Sequence, residues 1–348
     1  MARRERKTIR SKEKFFMKSV RPVQISGVGC YVPERVLTNH DLSKIVDTSD
    51  EWILQRTGIS ERRIVDKGKA TSDMAEQAVR RLCSSLQMDP SEIELLIVAT
   101  VTPDMFFPST ACLLQDKLGI HHTWGFDLSA ACCGFVYSLS VGAAFVAAGL
   151  HSKVVVVGSD TMSSIIDYQD RATCVIFGDG AGAVLLEPAK KPENCLIDFH
   201  HEVDGSGGVH LKMPAGGSLL PSSCETVKNR LHYVKQEGHA VFKFATRKME
   251  EASRIILQKN RLTPQDIHLL LPHQANARII RGTAERLGLR DDQFVINLHK
   301  YGNTTAATIP LAMQDALTEG RLKEGDLVLL ASVGAGFTVG TALLRWAI

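Results

Sequence analysis

The feature that most constrains this chain is that its second half echoes its first. "DPSEIELLIVATVTPD" (89–104) and "TPQDIHLLLPHQAN" (263–276) share a proline, an acidic residue, an isoleucine and then a leucine-rich run. Aligning Pro90 with Pro264 sets an offset of 174 residues, half the chain length. The same offset lays "KVVVVGSD" (153–160) on "LVLLASVG" (327–334), and a slightly smaller one lays the helical segment after Cys133 on "TTAATIPLAMQDALTEG" (304–320). Each half closes on a glycine-rich strand, "FGDGAGAVLLE" (177–187) and "VGAGFTVGTALLRW" (333–346). Three elements in one order at nearly one spacing predict two related halves that meet at a pseudo-twofold interface.

The runs "ELLIVAT", "KVVVVGS", "HLLLP" and "DLVLLAS" are too continuous for half-exposed strands and suit sheet centres covered on both faces. Helical periodicity shows in 73–87 and in 245–260, the latter carrying apolar residues at Met249, Ala252, Ile255 and Ile256. The predicted class is α/β: two pseudo-repeated halves with mixed sheets, layered with buried helices between them. The expected division is a basic N-terminal extension over 1–20, an N-terminal half over 21–190 and a C-terminal half over 191–348. The stretch 189–238, with several Pro, Gly and Ser residues, reads as an insertion joining the halves.

A chain of 348 residues, 44% of them hydrophobic, can bury a large core. Its net charge of +3 is unevenly spread: residues 1–20 hold eight Lys/Arg against two Glu, so the remainder is slightly acidic and is not a nucleic-acid binder by charge. "MARRERKTIRSKEKFFMKSV" lacks the apolar run of a signal peptide, and Glu5 and Glu13 argue against a transit peptide. The expectation is a disordered basic tail, or a segment upstream of a true start at Met17. No run approaches the roughly 20 apolar residues of a membrane span. The eight cysteines show no CxxC and no zinc-like spacing, so no metal is expected and a reducing cytoplasm fits. A vicinal disulfide between Cys132 and Cys133 would demand unusual backbone geometry.

That cysteine pair stands in "GFDLSAACCGFVYSLSVGAAFVAAG" (125–149). "GFDLSAA" reads as a short buried strand, and the uncharged segment 134–148 as a helix buried on every side. Cys132 and Cys133 then sit at the mouth of that helix, where unpaired N–H groups and the macrodipole favour a thiolate. In the second half, "LLLPHQAN" runs a strand into His273 and Asn276, and "HKYGNTTAAT" puts Asn303 immediately before a helix. The repeat sets Asn303 facing the helix mouth that corresponds to Cys132. Taken singly, Asn303 is a good helix cap and His273 a satisfied structural histidine. Taken with a cysteine at a buried helix mouth, they form a candidate catalytic set on strand ends.

The motifs "TSDEWILQRTGI" (48–59), "FPSTACLLQ" (107–115), "FDLSAACCGF" (126–135), "DRATCVIFGDGAGAV" (170–184), "PHQANARI" (272–279), "YGNTTAAT" (301–308) and "GAGFTVGTALLR" (334–345) are long and ordered. Through them the chain resembles, over about residues 22–348, the thiolase-fold condensing enzymes, and specifically the β-ketoacyl-[acyl carrier protein] synthase III family. The resemblance implies a layered αβαβα core. It makes Cys132, the cysteine preceding x-Gly-Phe, the nucleophile, with Cys133 in a place usually held by a small residue. It makes His273 and Asn303 the pair that holds a developing enolate, and the N–H groups of Cys132 and Ala335 the oxyanion hole; the family often has Gly at the latter.

By the same resemblance Trp52, Arg56, Arg171, Phe242 and Asn276 line a coenzyme A tunnel. Phe107 reaches across a homodimer to shape the acyl pocket. Lys243, Gln274, Arg278, Arg281 and Arg286 dock an acidic carrier protein. Without it, Trp52 and Arg56 are an ordinary i, i+4 helix pair and the arginines a solvated face. The implied reaction is decarboxylative Claisen condensation of acetyl-CoA, or another short acyl-CoA, with malonyl-[acyl carrier protein]. It gives 3-oxoacyl-[acyl carrier protein], CO2 and CoA and starts fatty-acid synthesis, with no cofactor and no membrane or nucleic-acid partner. The absence of a second cysteine in "VGAGFTVG" separates the chain from thiolases, and Asn303 in place of a second histidine separates it from the elongating synthases. A secondary-metabolism relative with another primer and a Cys-His-Asn thioester hydrolase are the alternatives.

Overall fold

The computed structural model describes residues 20–348; residues 1–19, which hold nearly all of the expected basic extension and Met17, lie outside the described residues. The first sheet is built from Val23–Tyr31 (β1), Leu95–Ala99 (β2), Trp124–Leu128 (β3), Val154–Asp160 (β4) and Gly180–Pro188 (β5). Its order is β1-β5-β4-β2-β3, antiparallel at β1/β5 and β5/β4 and parallel at β4/β2 and β2/β3. The second sheet uses Leu196–Val203 (β6), Leu269–Pro272 (β7), Leu327–Gly334 (β8) and Thr338–Arg345 (β9) in the order β6-β9-β8-β7, antiparallel at the first two pairings and parallel at the last. An isolated parallel bridge from Leu270 to Phe294 stands where the first sheet has its fifth strand. The two sheets are therefore the same design used twice.

The helices that matter for the site are Asp50–Thr57 (α1), Thr71–Leu86 (α2), Thr110–Leu118 (α3), Gly134–Ala147 (α4), Gly238–Lys259 (α5), Ala277–Leu287 (α6) and Thr308–Thr318 (α7). The continuous apolar runs resolve into two faces. Leu95, Ile97, Val154, Val156, Leu269, Leu271, Val328 and Leu330 join α4 and α7 in one central core. Leu96, Val98, Val155 and Val157 face α2 and α3 on one side, and Leu270, Leu327 and Leu329 face α5 and α6 on the other. Period-two alternation is present but hidden, because both faces of each strand need apolar residues. The result is five layers, αβαβα, with α4 and α7 between the sheets.

The offset of 174 extends further than the sequence reading allowed. Leu95 and Leu269 open equivalent strands, and Gly134 and Thr308 open equivalent helices, so the central helices share the common offset rather than a smaller one. Ala131 (φ 48°) and Thr305 (φ 53°) are related by the same spacing, each opening a 3-10 turn in the left-handed region that non-glycine residues rarely enter. Three other expectations change. β3 is a half-buried edge strand with Trp124 exposed, because it pairs on one side only. The supposed insertion 189–238 contains β6, an edge strand of the second sheet. Helix α5 starts at Gly238, earlier than its apolar periodicity, because Gly238, His239, Val241 and Phe242 line a cavity rather than the core.

Candidate active site

A cavity of about 430 Å³ contains Cys132, His273 and Asn303 and extends past Phe242, Asn276 and Arg278 to Trp52 and Arg56. Its inner wall is apolar, with Val175, Phe177, Ala245, Met249, Val333 and Phe337 among the lining residues. Each polar group reaches it from a strand end or tight turn. Cys132 lies in the 3-10 turn Ala131–Cys133 ahead of α4, where its carbonyl accepts a hydrogen bond of 2.8 Å from Ser332 Oγ of β8. His273 follows β7 directly, its N–H donating to the Ala331 carbonyl at 2.8 Å. The backbone of Asn303 donates to the Ile176 carbonyl (2.9 Å) and accepts from the Gly178 N–H (3.1 Å), so the first half of the chain holds it. All three are under 10% exposed.

Asn303 does not stand immediately before a helix; a 3-10 turn, Thr305–Ala307, separates it from α7. Its Oδ1 accepts the Thr305 N–H at 2.9 Å, so it caps that turn. The capping and chemical readings are compatible: the carbonyl end is spent on the turn, and the amide lies within reach of the Cys132 sulfur, whose thiolate it favours. His273 Nδ1 meets Thr308 Oγ1 at 2.7 Å, while Nε2 is buried with no partner among the described residues.

The electrostatics differ from what a helix mouth alone suggests. Burial, then Cys133 and Asp160, push the Cys132 thiol well above its usual range, against its own backbone N–H and the Asn303 amide. The resting group is a thiol, and its proton needs an acceptor. Burial also pushes His273 down to about 3, so the imidazole is neutral and able to be one. Cys133 is fully buried, which raises its thiol to about 11 against the opposing influence of the Thr338 and Ser332 hydroxyls. Both cysteines are free thiols.

The loop after β8 closes over the nucleophile. A Cβ on Gly334 would come within 2.8 Å of the Cys132 backbone nitrogen, so only glycine permits that approach. Ala335 is compatible with the turn because the positive φ falls on Gly336 (φ 140°) instead.

At the outer end, the Arg171 guanidinium stacks 4.9 Å from the Trp52 ring and Arg56 sits 6.0 Å from it. Asn276 caps α6 through Arg278 N–H (2.9 Å) and donates to the Arg56 carbonyl (3.0 Å), tying α6 to α1 at the rim. Arg278 lies 5.2 Å from the Phe242 ring. Lys243, Arg281 and Arg286 are exposed, with Arg286 about 12 Å along α6 from Arg278.

Gln274 is not a docking residue. It is 1% exposed, donates to the Pro272 and Val295 carbonyls and accepts the Asn297 N–H, which makes it an internal brace. Phe107 is 84% exposed and outside the cavity of its own chain. Sequence reasoning missed Thr308, Phe337 and Asp160. Asp160 is a buried carboxylate at the end of β4 that receives the Ala306 N–H. An acidic residue ending an apolar strand, and the equivalence of Thr308 with the start of α4, were the available signals.

The chain is similar over most of its length to known proteins. Residues 126–205 match the family model "3-Oxoacyl-[acyl-carrier-protein (ACP)] synthase III", and residues 257–346 match its C-terminal counterpart. The chain is 58% identical over 328 residues to the β-ketoacyl-[acyl-carrier-protein] synthase III of Solibacter usitatus, covering 93% of this chain and 98% of the relative. It is 56% identical over 332 residues to that of Koribacter versatilis, covering 95% and 100%. The crystal structure of 3-oxoacyl-[acyl-carrier-protein] synthase III from Aquifex aeolicus VF5 superposes with a TM-score of 0.86 at 42% identity, covering 93% of this chain and all of that one. Among the described residues no helix is long and apolar enough to cross a membrane.

Proposed function

Because the chain belongs to the β-ketoacyl-[acyl-carrier-protein] synthase III family of thiolase-fold condensing enzymes, which perform the initiating condensation of fatty-acid synthesis, we propose that its substrates are a short acyl-CoA, acetyl-CoA first, and malonyl-[acyl carrier protein]. The observation that carries this reading is the convergence of a thiol, a neutral imidazole and a carboxamide in one largely apolar cavity. Cys132 gives its proton to His273 Nε2 and attacks the acyl-CoA carbonyl. The oxyanion is held by the N–H groups of Cys132 and Ala335, and the departing CoA sulfur takes the proton back. The new bond is a thioester like the one broken, so little energy is lost.

The malonyl thioester then loses CO2. Its carbonyl, becoming an enolate oxygen, is held by N–H donors from His273 Nε2 and the Asn303 amide. The carbanion attacks the acyl-Cys132 carbonyl, the C–S bond breaks, and the departing Cys132 thiolate takes a proton from solvent. Neutral donors aimed where charge develops stabilise the transition state more than the ground state. Both thioesters are substrates, so the reaction calls for no cofactor.

The adenine of coenzyme A is assigned to Trp52 and Arg171 at the rim, with Arg56, Phe242 and Asn276 along the same wall. Lys243, Arg278, Arg281 and Arg286 are assigned to the acidic carrier protein. A homodimer is supported by the edge of β3, unpaired among the described residues, and by the exposure of Phe106 and Phe107, large apolar groups that a lone protomer leaves in water. A cytoplasmic location fits eight free thiols. The test is incubation with labelled acetyl-CoA and malonyl-[acyl carrier protein]. A four-carbon 3-oxoacyl product is expected, and free acetate with CoA alone would contradict the reading.

A further inference from the structure

We propose that Thr308 is a positioning residue that lets His273 work as an acceptor in acyl transfer and as an N–H donor in decarboxylation, by supporting either imidazole tautomer. The proposal deepens the mechanism above and rests on its placement of His273.

Two short contacts carry it. Thr308 Oγ1 lies 2.7 Å from His273 Nδ1 and 3.1 Å from the Thr305 carbonyl oxygen. A hydroxyl has one proton to give, and a carbonyl can only accept. When the Thr308 O–H points to Thr305, its oxygen must receive from Nδ1–H, and Nε2 is left with a lone pair. When the O–H turns to Nδ1, that nitrogen is the acceptor and Nε2 carries the proton. The switch costs one rotation about the Thr308 C–O bond and moves no heavy atom.

The two states match the two demands on Nε2. This nitrogen is buried and without a partner among the described residues, and it is the ring atom left for the cavity that holds Cys132 and Asn303. As a lone pair it accepts the Cys132 thiol proton; the imidazolium then returns that proton to the departing CoA sulfur. As Nε2–H it donates to the malonyl thioester carbonyl beside the Asn303 amide. Exchange between the neutral tautomers needs one proton removed at one nitrogen and one added at the other, for which water is the carrier before the malonyl group seals the site. Thr308 is at the first turn of α7, where a threonine hydroxyl can turn back on the i−3 carbonyl without disturbing the helix.

The experiment is nitrogen NMR of ¹⁵N-histidine-labelled enzyme, with the His273 signals identified by their loss in His273→Ala. The resting enzyme should show a protonated Nδ1 and an unprotonated Nε2. Adding the malonyl-CoA isostere in which an amide replaces the thioester should reverse them while the ring stays neutral. Thr308→Val, close in shape but without the hydroxyl, should lose the reversal and slow malonyl decarboxylation by roughly tenfold, the worth of about one hydrogen bond. Thr308→Ser should restore both. The same nitrogen protonated in both states, or a normal reversal in Thr308→Val, would overturn the proposal. Decarboxylation at the parental rate by His273→Ala would instead overturn the role of His273 on which it rests.

Discussion

Asp160, the last residue of β4, accepts the backbone N–H of Ala306 at 3.1 Å across the seam between the two halves. Its other oxygen receives Thr100 Oγ1, Val101 N–H and both polar groups of Thr102. Beside it the halves touch so closely that a Cβ on Gly158 would meet the Ala306 carbonyl oxygen at 2.3 Å. The turn that Asn303 caps is therefore pinned from the half of the chain that supplies Cys132.

Asp160→Asn should break this pin, because an amide NH2 would oppose the Ala306 N–H. A cost of about 1–3 kcal/mol in unfolding free energy is expected, with decarboxylation falling more than acyl transfer. The pH dependence has a definite sign. Burial raises Asp160 from 3.8 to about 6, so between those values the folded protein keeps a proton that the unfolded chain has released. Its contribution to stability is present below about pH 4 and is lost as pH rises through about 6, by roughly 3 kcal/mol. Denaturant melts of parent and variant across that window should show the slope in the difference between them, since every other shifted carboxylate is common to both.

The paired cysteines should separate. Cys132→Ser is expected to abolish acyl transfer and condensation, because an alcohol lacks the thiol's nucleophilicity at this site. Cys133→Ala should keep most activity and lose about 1 kcal/mol of stability for the buried sulfur removed. Mass spectrometry of the acetylated enzyme locates the group; acetyl on Cys133 would reverse the assignment.

At the tunnel mouth, Trp52→Ala or Arg171→Ala should raise KM for acyl-CoA by roughly tenfold, the scale of a stacked cation–aromatic contact, while turnover at saturation changes little. Steady-state kinetics with acetyl-CoA as the varied substrate checks this. A fall in turnover with unchanged KM would remove both residues from substrate binding.

Burial holds the His273 imidazole neutral down to about 3. Its ring proton shifts should stay constant from about pH 8 to 5, a window in which solvent-exposed histidines titrate. A midpoint near 6 would mean a wetter site.

Much of this was legible in the sequence. The repeat implied paired halves, and placement at strand ends and helix mouths drew together the Cys132/Cys133 pair, His273 and Asn303, while the choice of Cys132 over its neighbour came from the family resemblance. What was hidden shares a physical cause. Sheet faces such as Leu95/Leu96 could not be told apart, because burial on both sides erases alternation. Gln274, in a motif beside His273, looked exposed because the turn that buries its amide depends on Val295 and Asn297, some twenty residues away. Asp160 acts across the seam and Thr308 acts on His273, 35 residues away in its own half; local sequence carries little record of such partners.

The most direct test of the account is the Asn303→Ala variant, measured for two half-reactions on the same folded, assembled protein. Acetyl-enzyme formed from labelled acetyl-CoA in a single turnover reports Cys132 and its oxyanion hole. Release of CO2 from malonyl-[acyl carrier protein] reports the enolate donors. The account predicts that acetyl-enzyme still forms while CO2 release falls by roughly 10²–10³-fold, the magnitude of one lost donor to a developing oxyanion. Equal loss of both activities, or loss of neither, would contradict it.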